Sequence, residues 1–172
     1  FMDKVTVEDA SDRAALFHAF GPQAPAVLQA AGLADLPAPD QVMEAALGSV
    51  SVRAIGQRAI GSGWLLLADA ESANALAAHL AQAGFAPLSD DAYEVLRVEA
   101  GWPGPHTELT DDATPLEVNL LDAISDRKGC YTGQEVIARQ VNYDKVTRRL
   151  VGLRVDAPVP AGAQVEVEGR SV

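Results

Sequence analysis

The order of strand-like and helix-like segments between residues 15 and 88 restricts the fold of this chain more than any other feature. Short apolar or alternating runs are typical of strands, and apolar residues at i, i+3, i+4 and i+7 are typical of one helical face. The predicted elements are strand 15–20, helix 24–31, strand 50–55, strand 64–68, helix 73–80 and edge strand 85–88. This is the order of the split βαβ, ferredoxin-like arrangement. We therefore expect an α+β fold with helices on one face of a sheet.

A further helix is predicted to begin after Ser89, whose hydroxyl suits an N-cap, and to end at Gly101. Arg97 and Glu99 lie near its C-terminal end, where the helix dipole favours a cation and disfavours a carboxylate. The position costs Glu99 about 0.3–1 kcal/mol, which makes it a candidate functional residue. The alternative is that Glu99 is simply exposed and screened by solvent.

The remainder of the chain predicts less regular structure. A helix is expected after Thr114-Pro115, and residues 149–155 and 164–168 are expected to be strands. This β pair looks like the start of an all-β module that the chain does not complete. Because the sequence opens Phe-Met and ends in a β-like segment, we expect parts of a longer protein to be missing at both ends.

Residues 131–136 carry a helix-start pattern. Thr132 and Glu135 fit a capping box, in which Thr132 is the N-cap and Glu135 bonds back to it. Tyr131 and Val136 would then form the accompanying hydrophobic staple. The sequence therefore predicts a helix that begins just after the chain's single cysteine.

Cys130 is that cysteine, and Lys128 precedes it by two residues. A nearby cation and a helix N-terminus both favour the thiolate form of a cysteine, and free backbone N–H groups at a helix start attract anions. Cys130 and Lys128 are thus candidates for a reactive thiol or an anion cradle. A small, structurally inert cysteine is the open alternative, because free cysteines are often buried.

Charge and cysteine content exclude several classes of protein. The net charge of −11 argues against general binding of nucleic-acid backbones, which needs a basic face. No apolar run approaches the ~20 residues that span a bilayer. One cysteine excludes an internal disulfide and fits a reducing compartment. It also excludes an all-cysteine metal or iron–sulfur site made by this chain alone.

Basic residues nevertheless concentrate in one part of the chain, with few acids between them. They are Arg127, Lys128, Arg139, Lys145, Arg148, Arg149 and Arg154. A local anion site inside an acidic protein is one interpretation, and a solvated basic face is the other.

The run Lys128-Gly129-Cys130-Tyr131-Thr132-Gly133-Gln134-Glu135 resembles the signature of the YgfZ-type folate-binding proteins. These proteins are implicated in iron–sulfur cluster assembly and repair, and are related to the glycine cleavage T-protein, an aminomethyltransferase. Residues 97–103, Arg-Val-Glu-Ala-Gly-Trp-Pro, resemble the family's Arg-x-Glu-Ala-Gly-x-Pro block. Segments 115–120, 138–139 and 148–150 fall at the places expected for the family.

The resemblance implies the aminomethyltransferase folate-binding fold. Residues 1–147 would be its central folate-binding domain, incomplete at the N-terminus, and residues 148–172 the truncated beginning of a C-terminal β-barrel. It implies that Glu99 accepts hydrogen bonds from the pterin ring of tetrahydrofolate, and that Arg97 in the same block also serves cofactor binding. The anionic glutamate tail would meet Arg139, Arg148 and Arg149.

The resemblance also implies that Cys130, assisted by Lys128, is the redox-sensitive or cluster-contacting residue. With one cysteine, the chain could only share an iron–sulfur cluster transiently with ligands of a partner. We expect a cytoplasmic, tetrahydrofolate-binding accessory factor for maturation or repair of iron–sulfur proteins, without classical turnover. Its expected partners are folate and iron–sulfur client or assembly proteins. We expect it to bind no nucleic acid and no membrane, and to have no metal site of its own.

Two alternatives stay open. The first is a folate-dependent aminomethyl or one-carbon transferase like the T-protein. The second is a folate-binding module in which Cys130 is structurally inert.

Overall fold

The computed structural model describes residues 4–58, 60–61, 63–125 and 127–171. Its contacts divide the chain into a first unit that ends at Trp102 and a second unit that begins at Pro103. The domains 1–147 and 148–172 were expected from the family resemblance. They are not defined by these contacts, and they stay a prediction.

A four-stranded antiparallel sheet forms the centre of the first unit, in the order β1-β4-β3-β2. Its strands are β1 (Ala14–Phe20), β2 (Val42–Leu47), β3 (Val50–Gln57) and β4 (Gly63–Asp69). Helix α1 (Ala24–Ala30) follows β1, and helix α2 (Ala73–Ala83) follows β4. Since β1 and β3 are both antiparallel to β4, they run in the same direction with β4 between them. This is the split βαβ core that the sequence predicts.

The core of the first unit contains one face of the sheet together with side chains of both helices. Along β3, Val50, Val52 and Ala54 are buried, whereas Ser51 and Arg53 are exposed, as the alternation predicts. Each fully buried leucine or valine stabilises the fold by about 1.5–3 kcal/mol. The largest completely buried side chains are Leu28, Leu33, Leu47, Leu66, Leu76 and Val52.

The predicted edge strand 85–88 does not form. Gly84 ends α2 with a φ of +114°, and the Phe85 N–H donates to the Leu80 carbonyl at 3.0 Å. This is the bond that closes a Schellman helix end. Phe85 therefore uses its donor on the helix, and Pro87 has no N–H to offer a neighbouring strand.

Strand β2 is the fourth strand of the sheet, at the edge farthest from β1, and it was not among the predicted elements. It pairs with β3 from Leu47↔Val50 to Val42↔Ile55. Its sequence contains Glu44 and two alanines, which strands disfavour, and this composition concealed it. Met43 and Ala45 nevertheless pack against the core.

The proline-rich connector before β2 lies against β3 at Gly56. The Asp40 N–H donates to the Gly56 carbonyl at 3.1 Å, and the Gly56 N–H donates to the Gln41 carbonyl at 3.0 Å. A Cβ on Gly56 would lie 2.1 Å from the Ala38 carbonyl oxygen. Close approach of two backbones, rather than a turn, therefore requires glycine here.

Gly56→Ala is expected to lower the free energy of unfolding by about 1–3 kcal/mol, because the connector must move to admit the methyl group. Urea unfolding of the full chain measures the loss. Gly152→Ala is the matched control, since a Cβ there meets nothing within 4 Å. Equal stability of the two variants would contradict the close approach.

Helix α3 (Asp90–Glu99) forms where the sequence predicts it. The Ser89 hydroxyl caps it by accepting from the Ala92 N–H at 3.3 Å. The Tyr93 ring lies edge-on to the His18 and Phe20 rings of β1, at 6.0 Å between centroids in each pair. Burial lowers the pKa of His18 and so favours the neutral form of this ring. These contacts tie α3 to β1 within the first unit.

The second unit is built mostly from turns. Among the residues described there, the regular elements are a 3₁₀ turn (Leu121–Ala123), helix α4 (Gln134–Asn142) and a hairpin of β5 (Glu166–Val167) and β6 (Arg170–Ser171). The helix predicted after Pro115 is only a series of turns, and Asn119 has a φ of +62° that no helix continues.

The strand predicted at 149–155 does not form either. The Leu150 N–H donates instead to the Glu117 carbonyl at 2.7 Å. Val151, Leu153 and Val155 are 59–68% exposed. Within the described residues of the second unit, nothing covers their alternating apolar face and no barrel forms. Among the described residues, no helix has the length and apolar content to cross a membrane.

Candidate functional site

The segment before α4 presents Cys130 as an exposed, free thiol. The Ser125 hydroxyl accepts from the backbone N–H groups of Arg127 and Lys128 at 3.3 and 3.2 Å. The Lys128 ammonium lies 5.1 Å from the centroid of the Tyr131 ring, a cation–π distance. The lysine charge is therefore held over an aromatic ring one residue beyond the cysteine.

The predicted capping box at Thr132 is wrong. Gly133, with a φ of +88°, is the N-cap of α4, and no side chain caps the helix. The Tyr131 N–H donates to Gln134 Oε1 at 3.0 Å, so Gln134 makes the return contact that was expected from Glu135. The left-handed backbone before the helix suits glycine and strains a β-branched residue. Cys130 therefore lies three residues before the N-cap, farther out than predicted.

The expected hydrophobic staple is absent too, since Val136 is 54% exposed. With Gly133 as the N-cap, Val136 occupies the third helical position rather than the fourth, where the staple residue belongs.

A pocket of about 330 Å³ opens beside α4 in the second unit. Its apolar lining comes from Ile124, Ile137, Ala138 and Val141, and its polar lining from Ser125, Lys128, Tyr131, Gln134, Glu135 and Asn142. The volume is at the lower end of the range for small-molecule pockets. Cys130 is not part of the lining, although residues close to it on both sides in sequence are. The pocket suits a flat, partly apolar group with a polar or anionic edge.

Arg97 and Glu99 belong to the first unit and have different surroundings. Arg97 is 5% exposed; its Nε donates to Glu94 Oε2 at 2.9 Å and its Nη1 to the Trp102 carbonyl at 2.6 Å. These bonds give Arg97 a structural task at the end of α3. Glu99 is exposed, and in the described part of the chain no hydrogen bond or ion pair engages its carboxylate. Their cofactor roles stay predictions.

Glu117 is a carboxylate with several hydrogen-bond donors around it, and it was not among the predicted site residues. Its side chain is 10% exposed. It accepts from the Thr114 N–H at 2.8 Å and hydroxyl at 3.2 Å, and from Arg148 Nε at 3.2 Å and Nη2 at 3.4 Å. The hydrogen bonds from the Thr114 backbone and from Arg148 lower the pKa of Glu117. The Thr-Pro-x-Glu sequence is a capping-box pattern, a signal that could have revealed the contact.

The three arginines predicted to meet an anionic tail differ in their engagement. Arg148 is paired with Glu117, and its Nη2 also donates to the Asp112 carbonyl at 2.7 Å. Arg139 and Arg149 are exposed, and within the residues that the structure covers no hydrogen bond or ion pair engages either side chain. Of the predicted site residues in the second unit, Lys128 lines the pocket, whereas Cys130, Arg139, Arg148 and Arg149 do not.

Stability is expected to fall in acid through Glu117. A carboxyl group whose pKa is lower in the folded state stabilises the fold above its unfolded pKa, and that contribution is lost as the pH falls through the folded value. The unfolded pKa is near 4.5. Glu117→Gln should therefore unfold more readily at pH 7 and lose less stability than the parent chain between about pH 5 and pH 3.

Urea unfolding at several pH values measures this difference. Glu135→Gln, which removes an exposed carboxylate of α4, is the matched control. An identical pH dependence in both variants would mean that the Glu117 contacts do not stabilise the fold.

Comparison with known proteins adds a family match. Residues 1–128 match the family model described as the GCVT N-terminal domain. The chain is 33% identical over 175 residues to a chloroplastic protein of Arabidopsis thaliana that carries the provisional name of a transferase, across 100% of this chain and 40% of that protein. It is 32% identical over 175 residues to the aminomethyltransferase of Thermus thermophilus, across 98% of this chain and 48% of that protein.

Two shorter matches are to proteins with other names. The tRNA-modifying protein YgfZ of Vibrio vulnificus is 38% identical over 92 residues, across 50% of this chain and 26% of that protein. The mitochondrial iron-sulfur cluster assembly factor IBA57 of Mus musculus is 36% identical over 72 residues, across 40% of this chain and 20% of that protein. The chain spans less than half the length of the curated relatives that match nearly all of it.

Proposed function

The chain belongs to the family of the GCVT N-terminal domain, and we propose that it is a tetrahydrofolate-binding accessory protein for the maturation or repair of iron–sulfur proteins. The observation that carries the proposal is the exposed thiol of Cys130, with Lys128 and Tyr131 beside it in sequence and lining a pocket of about 330 Å³. The names of two relatives, an iron-sulfur cluster assembly factor and YgfZ, support it.

The chemistry of the available residues fits a reduced folate. The pterin ring offers adjacent N–H donors, and the exposed carboxylate of Glu99 can accept two of them. The glutamate tail carries carboxylates, and the exposed guanidinium groups of Arg139 and Arg149 can bind these. A bound tetrahydrofolate supplies ring nitrogens that can carry a one-carbon unit.

Cys130 is proposed to act on the cargo rather than on the folate. A thiolate is the form of cysteine that ligates iron. Because the chain has a single cysteine, it supplies one thiolate ligand to an iron–sulfur cluster, and a client or assembly protein supplies the others. This limits the cluster to transient, shared binding.

Cys130→Ser in the full-length protein is expected to lower the activity of client iron–sulfur enzymes in cells while leaving affinity for reduced folate unchanged. The serine keeps the size of the side chain and removes the soft sulfur ligand. Thr132→Ser, a neighbouring exposed position, is the control. Unchanged client activity would instead support a folate-binding module with an inert cysteine.

Glu99→Gln is expected to weaken binding of tetrahydrofolate by about tenfold or more, since a hydrogen bond to a charged group contributes roughly 1.5–3 kcal/mol. Titration calorimetry on the full-length protein measures the affinity. Asp91→Asn, an exposed carboxylate in the first turn of the same helix, is the control. Equal affinity in the parent protein and Glu99→Gln removes Glu99 from the site.

A folate-dependent aminomethyl transferase is the second candidate function. It is favoured by the aminomethyltransferase of Thermus thermophilus, whose match covers 98% of this chain. Transfer of a methylene group from an aminomethyl donor to tetrahydrofolate, catalysed by the full-length protein, would favour this candidate. Folate binding without such transfer favours the accessory role.

A further inference from the structure

Segment 112–119 holds the chain on both sides of Arg149. On one side, the Arg148 guanidinium donates from Nε to Glu117 Oε1 at 3.2 Å and from Nη2 to the Asp112 carbonyl at 2.7 Å. On the other side, the Leu150 N–H donates to the Glu117 carbonyl at 2.7 Å. One residue, Glu117, thus binds both neighbours of Arg149, through its side chain and through its backbone.

Asn119 adds a further contact on the far side of Arg149. Its Nδ2 donates to the Leu150 carbonyl at 2.9 Å, so both backbone polar groups of Leu150 are bonded to segment 112–119. Leu150 is thus held through its backbone and Arg148 through its guanidinium, and these bonds restrict the chain around Arg149. Less conformational entropy is therefore lost when its side chain binds a ligand.

The adjacent arginines Arg148 and Arg149 differ in whether a carboxylate compensates their charge. The carboxylate of Glu117 compensates the charge of Arg148. Arg149 is exposed, and in the described part of the chain no hydrogen bond or ion pair engages its side chain. The positive charge available to an anion at this point of the chain is therefore that of Arg149.

We propose that Glu117 is a positioning residue: by holding Arg148 and Leu150, it presents the guanidinium of Arg149 to the carboxylates of the folate tail. This inference rests on the proposed function, because the anion it names belongs to that ligand. Glu117 itself does not touch the ligand. Both bonds between Glu117 and Arg148 are charge-assisted, and the Glu117 carboxylate is largely removed from water.

The test compares two probes on the full-length protein by titration calorimetry: tetrahydrofolate, which carries the tail, and tetrahydropterin, which lacks it. Glu117→Gln is expected to weaken tetrahydrofolate about tenfold, the size of one charge-assisted hydrogen bond, and to leave tetrahydropterin unchanged. Arg149→Gln should give the same loss on the same probe. The double variant Glu117→Gln/Arg149→Gln should lose no more affinity for tetrahydrofolate than either single variant, because both changes remove the same interaction.

Asn119→Asp provides a second, milder variant. It removes the donor to the Leu150 carbonyl and keeps a residue type that tolerates a positive φ. A smaller loss of tetrahydrofolate affinity, again without an effect on tetrahydropterin, is expected. This variant keeps the test decisive if Glu117→Gln does not fold.

Three results would overturn the inference. The first is a loss of tetrahydrofolate affinity in Arg149→Gln with no such loss in either Glu117→Gln or Asn119→Asp. The second is an equal loss on both probes in these two variants, which is what a general structural defect produces. The third is unchanged affinity in Arg149→Gln. If the parent protein binds tetrahydrofolate not at all, the proposed folate function fails and the inference fails with it.

Discussion

Contacts of Glu117 join segment 112–119 to residues 148–150, which include two adjacent arginines. A carboxylate with 10% exposure must be hydrogen-bonded to stay ionised away from water, and Thr114 and Arg148 supply the donors. The regular elements among the described residues of this unit are one α-helix, one 3₁₀ turn and a hairpin of two two-residue strands. Polar contacts to segment 112–119 therefore hold residues 148–150, where a larger unit would use an apolar core.

The contacts of Glu117 make two arginines that are adjacent and look alike in the sequence differ in their bonding. Both are exposed, but Arg148 is paired with Glu117, whereas in the described part of the chain no hydrogen bond or ion pair engages the side chain of Arg149. A similar separation exists at the end of α3 in the first unit, where Arg97 is buried and Glu99 is exposed. Residues two apart on a helix point to nearly opposite sides. In both places one member of a charged pair supports the backbone and the other is available to a ligand.

The Thr-x-x-Glu pattern occurs at both 114–117 and 132–135, with different outcomes. At 114–117 the Thr114 N–H donates to the Glu117 side chain at 2.8 Å, and Pro115 suits the first position of the turn. At 132–135 the backbone at Gly133 adopts a φ of +88°, so the glycine becomes the cap. The same four-residue pattern thus predicts the contact correctly at 114–117 and wrongly at 132–135. Because Gly133 is the N-cap of α4, Cys130 lies three residues before that cap.

The sequence by itself determined the family, the helices α1, α2 and α3, and the strands β1, β3 and β4. These depend on motifs and periodicities that lie within a short window of the chain. The roles of Cys130, Lys128, Glu99 and the arginines stay predictions. The tertiary structure alone decided that β2 and not residues 85–88 completes the sheet, because a strand forms where a neighbour can accept its hydrogen bonds. It also decided that Glu117 meets Arg148, 31 residues away in sequence, because only folding brings such distant side chains together.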